Sequence, residues 1–310
     1  MTSPRPVSGR QFEISHGGAR VRVGAVAAVL REFSVDGVHF TETWPDDLVA
    51  PMGCGMVLVP WPNRVDGGRW KHGGKTQQLD LTDPGNGHAT HGLLRNTPYE
   101  LVTQTDSAVT LAASVYPQHG YPFTLDTSVT YSLGPDGLTV THQIANVGDA
   151  PAPFGVGAHP YLRVGDVPAA DLTLTVSAQA CAPTNDRLLP EPVQPVIDGG
   201  WDLRDGRRVG ELDFNLAFTD FAARDGRVEH ALDAPDGTGL RLWADDVFRW
   251  LMVYTPADFP GSGPAEQRRH AVALEPMTSP ANALASKVDL LIVEPGESWT
   301  GSWGLRPVGF

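Results

Sequence analysis

The stretch between residues 99 and 146 constrains the fold most, because it is a regular series of short β-type segments. These segments are rich in β-branched residues, and turn signals such as Pro135-Asp136-Gly137 separate them. They run Tyr99–Thr105, Val109–Tyr116, Phe123–Leu133 and Leu138–Asn146. Segments of this length and spacing predict antiparallel β structure.

The same pattern extends to both ends of the chain. Ala19–Val23 and Ala25–Val35 are valine-rich and are parted by Gly24, and Gly73-Gly74 predicts a tight hairpin. No stretch of a dozen or more residues has helical periodicity. Further strands are predicted at Leu172–Ala178, Gly239–Trp243, Trp250–Tyr254, Ala271–Leu274, Leu290–Val293 and Ser298–Leu305.

These segments predict an all-β protein with one large β-sandwich-like domain over residues 1–310. Residues 1 to about 12 are expected to be loosely ordered. Pro183–Gly200 and Ala257–Gln267 are rich in proline, glycine and polar residues, but strands of one type flank each of them. Both are therefore predicted to be long loops rather than linkers.

Composition narrows the function classes. The chain has 34 Gly and 27 Pro, yet its 41% hydrophobic content is too high for a disordered protein. A net charge of −13 without any basic run opposes binding to nucleic acid or anionic membranes, which favours a neutral small molecule as partner. The polar N-terminus lacks a signal-peptide pattern, and Cys54 and Cys181 are expected to be reduced and buried, so a cytoplasmic location is predicted.

The first candidate site is the stretch from Gly155 to Leu162, GVGAHPYL. Its glycines allow a close backbone approach, His159 can move a proton near neutral pH, and Pro160 fixes the following turn. The alternative is a buried turn histidine whose hydrogen bonds are satisfied by the backbone.

Two further stretches carry polar side chains suited to a small ligand. Arg64 follows a Pro-Trp-Pro corner and can donate several hydrogen bonds, although a surface salt bridge to Asp66 is the alternative. His88 and His91 lie three residues apart, so in an extended segment they do not share a face, which disfavours a metal site.

The last stretch places a carboxylate after an apolar run. Glu275 follows Ala271–Leu274 and is expected to leave the end of an interior strand and face a cavity, the alternative being a carboxylate in solvent. Asp213 is a weaker polar candidate between apolar neighbours. Hydrolase-elbow, zinc-protease and dinucleotide motifs are absent from the sequence. Once these motif classes are excluded, the candidate chemistry is acid/base catalysis by a histidine and a carboxylate.

Together these stretches resemble the aldose 1-epimerase (mutarotase) family, in motif type and order, from about Arg20 to Pro307. The resemblance implies a large twisted antiparallel β-sandwich of the galactose mutarotase type, whose concave face binds one sugar ring. It implies Glu275 as general base and His159 as general acid, with Arg64, His91 and Asp213 holding sugar hydroxyls. It implies no metal or organic cofactor, and a monosaccharide substrate for a monomer or homodimer.

The sequence is compatible with more than one sugar substrate. Pro276-Met277 after the glutamate is more similar to a bacterial branch, so galactose and glucose are both possible substrates. A phosphorylated hexose would need extra cations, for which Arg95 and Arg249 are candidates. A glycoside hydrolase would pair Glu275 with Asp213. A non-catalytic sugar-binding protein would use the aromatic platforms Trp61, Trp70, Tyr161 and Trp250.

Overall fold

The computed structural model describes residues 5–260 and 268–310. Two large antiparallel sheets dominate it, so the predicted all-β antiparallel sandwich is confirmed. None of the described helices is long and apolar enough to cross a membrane.

The segments predicted between residues 99 and 146 form four successive strands at one end of a nine-stranded sheet. Side chains of Leu125–Gly134 alternate between buried and partly exposed, as expected for a sheet with one face on the core. In spatial order the strands are Glu100–Gln104, Ala108–Val115, Leu125–Gly134, Gly137–Asn146, Ser298–Val308, Gly239–Asp245, Arg227–Asp233, Thr173–Thr175 and Arg207–Arg208.

The second large sheet has eight strands; Glu275 lies in one of them and His159 directly follows another. Strand Val272–Met277 lies inside it and all six of its residues are buried. Tyr161–Leu162 pairs with this strand off the main path. Along the main path the strands are, in spatial order, Gln194–Pro195, Ala178–Ala182, Asn215–Phe221, Trp250–Tyr254, Val272–Met277, Gly157–Ala158 and Val57–Leu58.

Strand alternation decides which way Glu275 points. Val272 and Leu274 join the main hydrophobic core, whereas Ala273 and Met277 join smaller clusters. Glu275 shares the parity of the second pair, so it faces away from the main core. The expectation that Glu275 leaves the end of a strand is wrong: it lies within the strand because partners on both sides extend the pairing beyond it.

Smaller elements complete the described chain. The strand that begins at Gln11 starts inside the segment expected to be loosely ordered, because Phe12 and Ile14 are buried and Ser8 accepts a hydrogen bond from Arg31. Four strands form an N-terminal sheet, Gln11–His16, Ala19–Gly24, Val29–Val35 and Val38–His39. Paired strands are Arg64–Asp66 with His88–Thr90, Arg69–His72 with Lys75–Gln78, Ala152–Phe154 with Leu291–Val293, and Phe259–Pro260 with Arg268–Arg269. Three 3-10 turns occupy Pro51–Gly53, Ala169–Asp171 and Val209–Glu211, and one α-helical turn occupies Ala283–Ser286.

The structure confirms some of the local predictions and corrects others. The hairpin at Gly73-Gly74 is confirmed. The predicted strand Ala25–Val35 begins only at Val29, because Ala27 and Ala28 adopt positive φ angles of 58° and 45°. The predicted loop Ala257–Gln267 lies outside the described residues from position 261 onward. Cys54 and Cys181 are buried and free.

Candidate active site

The antiparallel register of the eight-stranded sheet sets His159 opposite Glu275. Gly157 pairs with Met277 and Tyr161 pairs with Ala273, so the two residues halfway between these pairs face each other. His159 Nε2 lies 3.4 Å from Glu275 Oε1. Two candidates 116 residues apart in the sequence are thus in direct contact.

The glycine-rich segment before His159 has the predicted close approaches. A Cβ on Gly155 would stand 2.5 Å from Ser279 Oγ, and one on Gly157 would stand 2.9 Å from Pro62 Cβ. The backbone of His159 is fixed as well: its N–H donates to the Met56 carbonyl and its carbonyl accepts from the Gly55 N–H. Only glycine fits this packing without a shift of the neighbouring turn.

The His159 ring is held by packing, whereas its polar atoms are not all satisfied. It stacks on Tyr161 with ring centroids 5.3 Å apart and an interplanar angle of 14°. Within residues 5–260 and 268–310, neither His159 Nδ1 nor Glu275 Oε2 has a hydrogen-bond partner, although both atoms are buried. Backbone contacts alone therefore do not account for this histidine, and the pair retains unused hydrogen-bonding capacity.

His159 and Glu275 lie on the wall of a cleft of about 480 Å³. Met52, Met56, Met252 and Leu188 contribute apolar surface to it. This mixture of a few polar groups with apolar side chains suits a small organic ligand. The polar and aromatic residues that line it are Asn63, Arg64, Thr82, Asp83, Thr90, His91, Arg95, Asn96, His159, Asn215, Tyr254 and Glu275.

Burial moves the pKa values of the pair in opposite directions. Loss of hydration raises the pKa of Glu275 to about 8, and the nearby Arg64 partly offsets this. Loss of hydration lowers the pKa of His159 to about 4, and the positive charges of Arg64 and Arg95 act in the same direction. Between these values the pair carries one proton, so one member can give a proton while the other takes one.

Arg64 enters the cleft from strand Arg64–Asp66. Its Nε lies 3.4 Å from Asp83 Oδ2. Asp66, the alternative partner suggested by the sequence, instead forms an ion pair with Arg187 at 2.5 Å. The alternative of a salt bridge between Arg64 and Asp66 is therefore wrong, although the two side chains share a face of the strand, because Asp83 and Arg187 from other segments pair with them instead.

The two neighbouring histidines have different surroundings. His91 lines the cleft, and its ring meets that of His159 edge to face at 5.4 Å. Burial lowers the pKa of His91 well below its usual range. His88 is fully buried, its Nε2 is 2.8 Å from the Arg187 carbonyl, and its Nδ1 accepts from the Gly67 N–H, which indicates a structural role. The described residues contain no group of three His, Cys, Asp or Glu side chains able to hold a metal ion.

Asp213 is the one predicted site residue that does not line the cleft. It is exposed, just before strand Asn215–Phe221, although its charge acts on Tyr254. Asn215 lines the cleft instead, two residues further along the chain. Sequence reasoning missed Asn215 and Tyr254. Tyr254 had a signal, because it ends the predicted strand Trp250–Tyr254 on the face that alternation turns away from the core, whereas no strand was predicted around Asn215.

The aromatic platforms proposed for a sugar-binding protein are not available. Trp61, Trp70, Tyr161 and Trp250 are all at most 3% exposed and serve as packing residues. A larger depression of about 950 Å³ lies over the nine-stranded sheet beside Trp243. Its lining has no histidine, and Arg227 covers the Trp243 ring at 4.1 Å, so the acid/base chemistry belongs to the smaller cleft.

The sequence profile of the family described as aldose 1-epimerase matches residues 10–306. The chain belongs to the aldose 1-epimerase family. Among curated proteins it is similar to YihR of Escherichia coli K12, described as uncharacterized, with 28% identity over 94% of this chain and 91% of YihR.

Solved structures of this family share the fold. An aldose epimerase homologue from C. elegans matches with a TM-score of 0.85 at 17% identity, covering 96% of this chain and 98% of the other. A putative aldose 1-epimerase from Escherichia coli K12 matches with a TM-score of 0.81 at 21% identity, covering 96% and 99%. Galactose 1-epimerase from Lactobacillus acidophilus NCFM matches with a TM-score of 0.77 at 18% identity, covering 96% and 94%. Family membership makes this chain an isomerase acting on carbohydrates.

Proposed function

We propose that this protein interconverts the α and β anomers of an aldohexose by opening and reclosing its ring. The contact between His159 and Glu275 is the observation that carries the proposal. In an aldose ring the anomeric hydroxyl and the ring oxygen are bonded to the same carbon. An acid and a base that serve both must lie close together, and a separation of 3.4 Å meets that requirement.

In the proposed reaction Glu275 takes the proton of the anomeric hydroxyl and His159 gives a proton to the ring oxygen. The bond between the anomeric carbon and the ring oxygen breaks, and an aldehyde forms. Rotation about the adjacent carbon–carbon bond followed by closure on the other face gives the second anomer. The same two groups then act in reverse, so the enzyme returns to its starting protonation state.

The raised pKa of Glu275 and the lowered pKa of His159 describe the empty site, where the shared proton rests on the carboxyl. Transfer of that proton to His159 yields the carboxylate and imidazolium that the proposed roles require. The transfer leaves the total charge of the site unchanged. The charge of Arg64 lowers the pKa of Glu275, which favours the carboxylate. It also lowers the pKa of His159, which makes the imidazolium a stronger acid towards the ring oxygen.

Arg64 and His91 are proposed to hold sugar hydroxyls, supported by their positions on the cleft wall. Asp213 has weaker support, because it is exposed and outside the lining. The exposure of Asp213 also weakens the glycoside hydrolase alternative, which would need a second carboxyl across a scissile bond. Galactose and glucose are the hexoses to test first.

The test is polarimetry on freshly dissolved α-glucose and α-galactose with the wild type, Glu275→Gln and a control. Glu229→Gln is the matched control, since Glu229 is exposed and paired with Arg306 outside the cleft. We expect faster relaxation to the unchanged final rotation, lost by about a hundredfold or more in Glu275→Gln only. A Glu275→Gln variant that retains the wild-type rate would refute the assigned roles.

A further inference from the structure

The cleft carries more positive charge than a neutral sugar requires. Its described lining contains four residues with carboxyl or guanidinium groups, Arg64, Asp83, Arg95 and Glu275. Burial keeps Glu275 protonated at neutral pH in the empty site, because its pKa is about 8. Two guanidinium groups thus face one carboxylate. This local excess is opposite in sign to the net charge of the whole chain, −13.

Arg95 accounts for that excess. Asp83 is already engaged, with Arg64 Nε at 3.4 Å and the Asn86 side-chain amide 3.0 Å from both carboxylate oxygens. Arg95 has a single long hydrogen bond within the described part of the chain, from Nη1 to the Thr90 carbonyl at 3.5 Å. Its Nε is buried without a partner there. Burial lowers the pKa of the Arg95 guanidinium, and the negative charge of Asp83 partly offsets this.

Other arginines of this protein are paired more closely. Arg204, Arg241 and Arg306 each contact a carboxylate at 2.7 Å or less on the surface. A partly buried guanidinium without such a partner is costly unless a ligand supplies the counter-charge. Asp83 is the carboxylate whose charge acts on Arg95, and it also pairs with Arg64, so this end of the cleft sets two guanidinium groups against one carboxylate.

We propose that the aldose bound here carries an oxyanion, as a phosphate, sulfonate or carboxylate, and that Arg95 binds this group with support from Arg64. The inference rests on the mutarotase function proposed above and specifies its substrate class. The anomeric carbon must keep a free hydroxyl for the ring to open, so the oxyanion is on another carbon of the sugar. A guanidinium suits such a group because its planar fork can donate two hydrogen bonds to it.

Arg249, the other cation considered for a charged sugar, takes no part in this site. It pairs with Asp289 at 2.9 Å and is exposed, outside the cleft lining. Arg249→Gln therefore removes the same charge from the chain without touching the proposed site. It is the matched control for Arg95→Gln.

The test compares anomer exchange, above the uncatalysed rate, for glucose, glucose 6-phosphate, the 6-sulfonate of glucose and glucuronate, by NMR exchange spectroscopy. We expect kcat/KM to be at least about tenfold higher for one of the anionic sugars than for glucose, and to fall as salt is added. In Arg95→Gln the ratio of anionic to neutral kcat/KM should fall by about tenfold or more. Arg249→Gln should keep the wild-type ratio. The sugar that is exchanged fastest identifies the oxyanion.

Two outcomes would overturn the inference. If glucose is exchanged at least as well as every anionic sugar, the substrate class is wrong while the mutarotase function stands. If none of the four sugars is exchanged faster than in buffer, both proposals fail. Thermal unfolding checks the fold of Arg95→Gln. If that variant is unfolded, Arg95→Lys and the wild-type preference with its salt dependence decide the matter instead.

Discussion

The backbone of Gly53 lies against the imidazole of His159: a Cβ added to Gly53 would stand 3.3 Å from His159 Cδ2. Gly53 has a φ of 76°, in the left-handed region, and ends the 3-10 turn Pro51–Gly53. The turn therefore helps to fix the position of the His159 ring, which we propose as the acid. Positioning of this kind depends on tenths of an ångström.

Replacement of Gly53 by alanine should affect both stability and catalysis. The positive φ should cost about 1 kcal/mol of unfolding free energy. Displacement of the His159 ring should lower kcat by about tenfold. Thermal unfolding measures the first effect, and polarimetry with the preferred sugar measures the second.

Gly37→Ala is the control for that variant. Gly37 has a φ of 82°, and a Cβ there would have no neighbour within 4 Å. A Cβ there meets the same kind of backbone strain outside the cleft lining, so the stability of Gly37→Ala should fall similarly while its kcat stays at the wild-type value. Equal kcat values for the two variants would show that Gly53 does not position the histidine.

The pKa values of the pair predict a bell-shaped dependence of kcat/KM on pH. Below about pH 4 both His159 and Glu275 are protonated, so no base is present. Above about pH 8 the pair has lost its shared proton, so no acid is present. Activity should rise through the first value and fall through the second. Initial rates across pH 3.5 to 9.5, roughly the range that brackets both limbs, test this, and a single flat plateau over the whole range would contradict it.

Glu275 should also make the stability of the protein depend on pH. Folding raises the pKa of this carboxyl from 4.5 to about 8. The protonated carboxyl therefore contributes its full share of the unfolding free energy below about pH 4.5, and this share is lost as the pH rises through 8. Glutamine does not titrate. Relative to Glu275→Gln, the wild type should therefore lose up to about 4 kcal/mol of unfolding free energy between acidic and alkaline conditions. Denaturant titrations at pH 5 and pH 9, on roughly opposite sides of the transition, measure the difference.

For this stability comparison Glu229→Gln is again the control, since Glu229 is an exposed member of an ion pair. Its difference from the wild type should stay small at both pH values. A wild type and a Glu275→Gln variant that lose stability in parallel would show that Glu275 is ionised in the folded protein at neutral pH.

Much of the β architecture was predictable because it is encoded locally. The strands between residues 99 and 146 alternate in hydrophobicity and are joined by turn residues, and the hairpin at Gly73-Gly74 is a two-residue connection. The cluster formed by Arg64, His91, His159 and Glu275 was predictable in a different way. Four short motifs in the expected order indicated a family, and the cleft brings those residues together.

What escaped prediction depends on pairing between distant segments. A charged residue after Ala271–Leu274 looks like the end of a strand, but pairing with Met252 carries the strand past Glu275. Arg64 is close to Asp66 in sequence, yet its partner Asp83 lies 19 residues away. Such choices are set by tertiary packing, which overrides local signals.

Arg64 provides a last prediction, because its charge acts on both members of the pair. It lowers the pKa of Glu275, and it lowers that of His159 as well. In Arg64→Gln both pKa values should therefore rise, so both limbs of the pH profile should move to higher pH, by about half a unit or more. Loss of a hydrogen-bond donor to the sugar should also raise KM. Arg187→Gln, which removes an exposed arginine paired with Asp66 outside the cleft, should leave both limbs in place. Limbs that move in opposite directions would mean that Arg64 acts by holding the two side chains in position rather than through its charge.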